Sequence, residues 1–110
     1  MNKLEKNLNV LKILSCCSKK FKDNLIKKGN RELIKTIEEC VINTLNGNIK
    51  LTKKEKEKLL KFKYSLRKLI KEKTLKEKKK ILIQKGGFLH ILLPSAISLI
   101  SEILQSVNRK

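Results

Sequence analysis

Helix-forming signals follow one another along almost the whole of this 110-residue chain, and they constrain its fold more than any other feature. Apolar side chains recur at intervals of three and four residues, which is the period of a helix with one buried face. Capping residues separate these stretches, and no stretch alternates apolar and polar residues as a strand would. The sequence predicts an all-α fold: a small bundle of about four to five short helices, with an apolar C-terminal helix after a Gly-Gly joint.

Local signals place the individual helices of the first half. A first helix is predicted over about residues 3–17, and Ser18 is the expected cap of a second, short helix. Gly29 is expected to end that helix in a left-handed C-terminal cap. Asn30 is the expected N-cap of a third helix, which carries the widest apolar stripe and should stop near Asn46-Gly47.

Two capping boxes place the helices of the second half. Thr52 with Glu55 predicts the start of one helix that continues to about Lys73. Thr74 with Glu77 predicts the start of a shorter, strongly basic helix.

A glycine pair is predicted to divide the chain into two parts. Gly86 and Gly87 should end the basic helix, and they form a flexible joint or a candidate processing site for a protease. The parts are a basic helical domain over 1–85 and an apolar or amphipathic helix over 88–110, either separate or docked on the domain. Pro94 within the second part predicts a kink or a helix start.

Positive charge is concentrated in one third of the chain. The formal net charge is +18, and residues 50–85 carry sixteen basic against four acidic side chains, a net +12. The flanking segments 1–49 and 86–110 carry only +5 and +1. Such a charge predicts an acidic partner, with nucleic acid as the first candidate and an anionic membrane as the second.

The basic segment predicts a surface that contacts phosphates without reading bases, because lysine is a point charge and arginine is scarce. Its only aromatic residues are Phe62, which looks like core, and Tyr64, so a stacking platform for single strands is not expected. Salt-sensitive binding to duplex DNA is expected, and a solvated helix face without a ligand is the alternative. The predicted phosphate-binding residues are Lys53, Lys54, Lys58, Lys61, Arg67, Lys68, Lys71, Lys78, Lys79 and Lys80.

The apolar C-terminal stretch has three open interpretations: a core helix, a transmembrane span, or a helix in a membrane interface. About twenty residues are long enough for a bilayer, but Glu102, Pro94 and several serines make a stable span unfavourable. The residues predicted to contact a membrane or a protein partner are Phe88, Leu89, Leu92, Ile97, Ile100, Ile103 and Leu104.

Catalytic, metal and cofactor sites are not predicted, so the chain is not expected to be an enzyme. His90 is the single histidine, lies in an apolar run, and is expected to be interfacial or partly buried. Cys16, Cys17 and Cys40 lack the spacing of zinc ligands and of a disulfide framework, which predicts free thiols in a reducing compartment. Charged residues interrupt the N-terminal apolar run, so a secretory signal is not predicted either.

A longer stretch carries a resemblance to a known family. It begins at Cys40 and continues as NTLNGNIKLTKKEKEKLLKFKYSLRKLIKEKTLKEKKKILIQKGGFLHILLP. The order of a cysteine-containing helix, the LNGNIKL motif, a basic helix with YSLRKL, then KKKILIQKGGFL and an apolar tail resembles a small basic protein. That protein is encoded by Polinton/Maverick elements and the related adintoviruses of animals. The resemblance covers roughly residues 24–104.

The resemblance implies a virion core or minor capsid component, by analogy with adenoviruses. Such a protein would bind double-stranded genomic DNA in the host nucleus and in the virion, or help to breach a membrane. Adenovirus-type proteases prefer a large aliphatic residue shortly before the cleaved bond. Here Gln84 lies at that position before the Gly87–Phe88 bond, which departs from the preferred pattern.

Together these signals favour a sequence-tolerant protein that binds or condenses duplex DNA in a virus-like element. One alternative is a membrane-active protein that acts through residues 88–107. A second alternative is a capsid assembly protein whose apolar tail docks on the capsid protein. Since aromatics are few and the predicted core is thin, the sequence leaves two alternatives open, a monomer and a homo-oligomer.

Overall fold

The computed structural model describes the backbone of residues 3–108 and the side chains of residues 6–106. Over this range the chain is helical and contains no strand, which confirms the predicted all-α class. A 3-10 turn over Gly86–Phe88 joins the last two helices. The α-helices of the described range are α1 (Lys3–Cys16), α2 (Lys19–Lys28), α3 (Arg31–Leu45), α4 (Lys53–Leu60), α5 (Lys63–Lys71), α6 (Leu75–Lys85) and α7 (Leu89–Asn108).

The predicted N-caps are present in the structure. Ser18 and Asn30 accept hydrogen bonds at the starts of α2 and α3, from the backbone N–H groups of the residues three positions later. Thr52 forms the full capping box, because its hydroxyl accepts from the N–H of Glu55 while the Glu55 carboxylate accepts from the N–H of Thr52. Gly47, with φ of 77°, turns the chain after α3 in the left-handed region that favours glycine.

The prediction of a left-handed cap at Gly29 is wrong. Its φ of −65° and ψ of 146° are extended backbone, which directs the chain straight into the Asn30 cap of α3. Close packing explains the glycine instead, because an added Cβ would lie 2.8 Å from Cδ2 of Leu33.

The prediction of one helix from Thr52 to Lys73 is also wrong, because a tight turn at Lys61-Phe62 divides it into α4 and α5. In this turn the N–H groups of both residues bond to carbonyls three positions earlier, at 3.3 and 2.9 Å. Phe62 is half-buried there and meets Phe88 edge to face, with 6.0 Å between the ring centroids.

Helix α6 ends at Lys85 with Gly86 as its C-cap, as predicted, but a 3-10 turn over Gly86–Phe88 then leads directly into α7. Neither glycine has a positive φ. Gly86 is buried, and a Cβ there would lie 3.1 Å from Nζ of Lys22, a lysine that is only 2% exposed. A Cβ at Gly87 would lie 3.4 Å from the ring of Phe62. Close packing thus accounts for Gly86, whereas a Cβ at Gly87 would make an ordinary van der Waals contact.

The first half of α7 belongs to the hydrophobic core. Leu89, Leu92, Leu93 and Ala96 form a helical stripe that is buried, and Phe88 before them has no exposed surface. Helix α1 packs against α7 and runs antiparallel to it, since residue 15 lies beside residue 90 and residue 7 lies near residues 96–103. Pro94 is exposed within α7, which begins five residues before it rather than at it.

We expect truncation of the seam residue Phe88 to destabilise the protein far more than truncation of Ile103. Phe88→Ala should lower the free energy of unfolding by about 3–5 kcal/mol, because it removes a fully buried ring. Ile103→Ala should change it by less than about 0.5 kcal/mol, because this side chain is 47% exposed. Urea denaturation followed by circular dichroism measures both values, and similar losses would contradict the burial of the seam.

Candidate nucleic-acid interface

Four lysines from two helices converge on one surface depression. Lys27 of α2 and Lys76, Lys79 and Lys80 of α6 line a concave space of about 360 Å³. Ile83 and Gln84 complete the lining, which contains no acidic side chain. The surface of the space is almost entirely apolar, so the lysines line it with their aliphatic stems rather than with their ammonium groups. We call this feature the lysine depression.

The packing of α2 on α6 positions these lysines. The two helices run antiparallel, since residue 27 lies beside residue 79 and residue 22 lies beside residue 86. Nζ of Lys79 donates a 2.9 Å hydrogen bond to the carbonyl of Lys27, one of the last carbonyls of α2 that lack a partner within the helix. Thr74 caps the start of α6 by accepting from the N–H of Glu77 at 3.2 Å, which is one of the two hydrogen bonds of the predicted capping box. Lys79 is therefore partly engaged in structure, while Lys27, Lys76 and Lys80 are exposed.

A second basic cluster lies where α3 packs on α6, around one carboxylate. Arg31, Lys35, Lys73 and Lys78 line a space of about 270 Å³ together with Glu38. Nζ of Lys78 lies 2.5 Å from Oε1 of Glu38, and both side chains are mostly buried. This ion pair links the two helices, so Lys78 is less available to an external phosphate than the sequence predicted.

The predicted phosphate-binding residues before Glu72 form a separate exposed set on α4, α5 and the turn between them. Within the described part of the chain, the salt bridges join Lys19 and Lys22 to Asp23 and Lys78 to Glu38, and none involves this set. The exposed members are Lys53, Lys54, Lys58, Lys61, Arg67, Lys68 and Lys71. They do not line the lysine depression, which takes only Lys79 and Lys80 from the prediction.

Lys27 and Lys76 were missed because the prediction followed charge density along the chain. Lys76 lay inside the basic segment and could have been included. Lys27 lies outside that segment, and only the packing of α2 on α6 brings it to the depression. The adjacent pair Lys27-Lys28 in the last turn of α2 was the one available signal, but it equally fits ordinary compensation of the helix dipole.

The predicted membrane or partner residues divide into two groups. Phe88, Leu89 and Leu92 are fully buried in the core. The second group lies beyond Ala96. In it, Ile97, Ile100 and Leu104 are half-buried and Ile103 is exposed. An external partner can therefore reach only the second group in this conformation.

The histidine and the cysteines have structural surroundings. His90 is exposed, contrary to the expectation of a partly buried side chain. Its Nδ1 donates to the carbonyl of Ser15 at 3.0 Å, which ties the start of α7 to the last turn of α1. Burial, with a smaller effect of Glu39, raises the pKa of the Cys40 thiol to about 11, and burial also raises the pKa of Cys17. Cys16 is exposed, and the described residues contain no cluster of side chains suited to a metal ion.

Comparisons with protein families, with curated proteins and with solved structures found no match. One helical stretch, Leu75–Ser106, contains a window long and apolar enough to cross a membrane, with a mean hydropathy of 1.7. A third of that window is buried inside the protein. Core helices of soluble proteins pass the same test of length and composition.

We expect repulsion among the lysines of the depression to lower the free energy of unfolding when no anion is bound. Lys76 lies three and four residues before Lys79 and Lys80, and it lies in the first turn of α6. Like charges at these spacings repel, and a positive charge in a first turn opposes the helix dipole. Lys76→Glu should raise the free energy of unfolding by about 0.5–1 kcal/mol and weaken binding of a polyanion.

Thermal denaturation at low salt measures the stability change, and binding of heparin measures the change in anion affinity. Lys12→Glu, at an exposed position of α1, is the matched control for net charge. A rise in stability of the same size in the control would assign the effect to net charge rather than to the lysine depression.

Proposed function

We propose that the protein binds the phosphate backbone of nucleic acid, with duplex DNA as the preferred form. The lysines of two helices around the lysine depression carry this proposal, because Lys27, Lys76 and Lys80 are exposed there and no acidic side chain belongs to the lining. Like charges repel one another, so such a gathering is favourable when an anion neutralises it. Phosphate is the anion that suits several flexible ammonium groups without demanding a fixed geometry.

Helix α6 is long enough to lie along several phosphates of a duplex. Helix α6 has 11 residues and is therefore about 16 Å long, whereas duplex DNA carries one charge per about 1.7 Å of axis. One helix can thus lie along several phosphates of both strands. The exposed lysines of α4 and α5 add a second set of contacts, and the scarcity of arginine favours binding without base readout.

The resemblance to a small basic protein of Polinton/Maverick elements and adintoviruses suggests a setting for this activity. In that setting the chain would neutralise packaged genomic DNA as a virion core or minor capsid component. Lysine-rich, sequence-tolerant binding suits this role, because a packaged genome presents every sequence at once.

We expect affinity for a short DNA duplex to fall by a factor of about 10³ or more between 50 and 200 mM salt, through the loss of counterion release. Replacing both Lys76 and Lys80 by Gln should lower the affinity at all sequences and reduce the slope of log affinity against log salt by about 2. Fluorescence anisotropy with two unrelated duplexes measures both effects.

The control variant replaces Lys6 and Lys12 of α1 by Gln, which removes the same charge at two exposed positions outside the lysine depression. It should keep most of the affinity. An equal loss in the two variants would show that net charge, and not the depression, determines binding. Affinity that hardly changes with salt would reject the backbone-binding proposal.

A second candidate function, binding to an anionic membrane surface, is favoured by the exposed stripe on the second half of α7. Ile103 is 47% exposed, and Ile100 and Leu104 are only half-buried, although they continue the stripe that is buried up to Ala96. An amphipathic helix can insert such a stripe into a membrane interface, while lysines elsewhere on the protein attract anionic lipid.

Full-length protein should bind vesicles that contain phosphatidylserine, and Ile103→Glu should weaken this binding at least about fivefold by placing a charge on the inserted face. Ile42→Glu is the control, because Ile42 is 38% exposed on α3 and this substitution changes the charge by the same amount. Cosedimentation with vesicles measures binding. Equal effects of the two substitutions would reject insertion of α7.

A further inference from the structure

We propose that an apolar groove beside α4 and α5 binds an acidic amphipathic helix of a partner protein. The groove has a volume of about 710 Å³, and it lies between the end of α3, the loop after it, and α4 and α5. Its floor consists of Ile49, Leu51, Leu59 and Leu66, which are buried or half-buried. We call this feature the leucine groove.

Two apolar side chains at the edges of the leucine groove are exposed to solvent. Leu60, at the end of α4, is 64% exposed, and Leu45, at the end of α3, is 43% exposed. The turn at Lys61-Phe62 explains the exposure of Leu60, since it follows immediately after this residue and ends α4 there. Two leucines at the edges of an apolar floor form a pocket for apolar side chains of a partner.

The positive charges around the leucine groove favour a partner that carries negative charge. Lys50 comes from the loop, Lys56 from α4 and Lys63 from α5, and all three are exposed. No acidic side chain belongs to the lining. An apolar strip flanked by carboxylates complements this arrangement, and an acidic amphipathic helix presents such a strip at i, i+3, i+4 and i+7.

Other occupants fit less well. A fatty acid has one carboxylate, whereas the three lysines lie on three separate elements, and an open groove leaves an acyl chain in contact with water. A second copy of this chain carries a net charge of +18, which opposes its approach to a lysine-lined groove. Nucleic acid can neutralise the lysines, but its backbone offers nothing for the leucines.

The leucine groove is separate from the lysine depression, because the two have no lining residue in common. The proposal therefore does not rest on nucleic-acid binding, and the two activities respond to different substitutions.

The binding test uses full-length protein and a fluorescent synthetic helix with leucines at i, i+3, i+4 and i+7 and glutamates beside them. A second probe has the same charge but carries serine in place of each leucine. The leucine probe should bind at least about tenfold more tightly, since burial of its leucines adds to the electrostatic attraction. Equal affinity of the two probes would overturn the proposal and indicate unselective attraction of acidic peptides.

Matched substitutions locate the binding site. Leu60→Ser should weaken the leucine probe about fivefold or more, while Tyr64→Ser, at a residue 78% exposed on α5 and outside the groove lining, should leave it unchanged. Lys63→Gln should weaken the probe more than Lys68→Gln, a change of the same charge on the same helix outside the lining. Leu60→Ser should also leave DNA affinity unchanged, which separates the two activities.

Two further results would overturn the choice of occupant. Displacement of the leucine probe by dodecanoate at one molecule per protein, with no gain of helix in the bound peptide, would assign the groove to a fatty acid. Self-association of the unmodified protein in analytical ultracentrifugation that Leu60→Ser abolishes would assign it to a second copy. Helix gain in the probe, measured by circular dichroism, together with a monomeric protein supports the acidic helix.

Discussion

Burial of Phe88 is the interaction on which the rest of the arrangement depends. Its ring has no exposed surface and lies edge to face with Phe62, so it holds the α6–α7 seam against the turn between α4 and α5. Because a single 3-10 turn is the whole connection between α6 and α7, fixing this ring also fixes the directions of both helices. Helix α7 then lies on α1, and α6 lies on α2, where it forms the lysine depression.

Local signals in the sequence predicted much of the fold, because caps and apolar periodicity act within one or two helical turns. The caps at Ser18, Asn30, Thr52 and Thr74 are all present. The turn at Lys61-Phe62 was not predictable in the same way, since no glycine, proline or capping side chain marks it. It accompanies the packing of Phe62 against Phe88, a contact between residues far apart in the chain.

The candidate interface was less predictable than the fold, because tertiary packing buries or pairs some lysines and leaves others exposed. Lys22 is buried beside Asp23, with 3.7 Å between Nζ and Oδ1, and Lys78 is paired with Glu38. Nζ of Lys79 donates a hydrogen bond to a carbonyl of α2. A count of charges along the sequence treats these residues alike, whereas the structure separates lysines that hold helices together from lysines that are exposed to solvent.

Net charge also explains how exposed apolar surface can persist on so small a protein. The edges of the leucine groove and the end of α7 expose Leu60, Leu45 and Ile103, which in a neutral chain would favour association between copies. Repulsion between copies that each carry +18 opposes such contact. The same charge attracts acidic molecules to these surfaces. In the proposals made above, this charge therefore opposes contact between the apolar surfaces of two copies and favours partners that combine apolar groups with negative charge, such as an anionic membrane or an acidic helix.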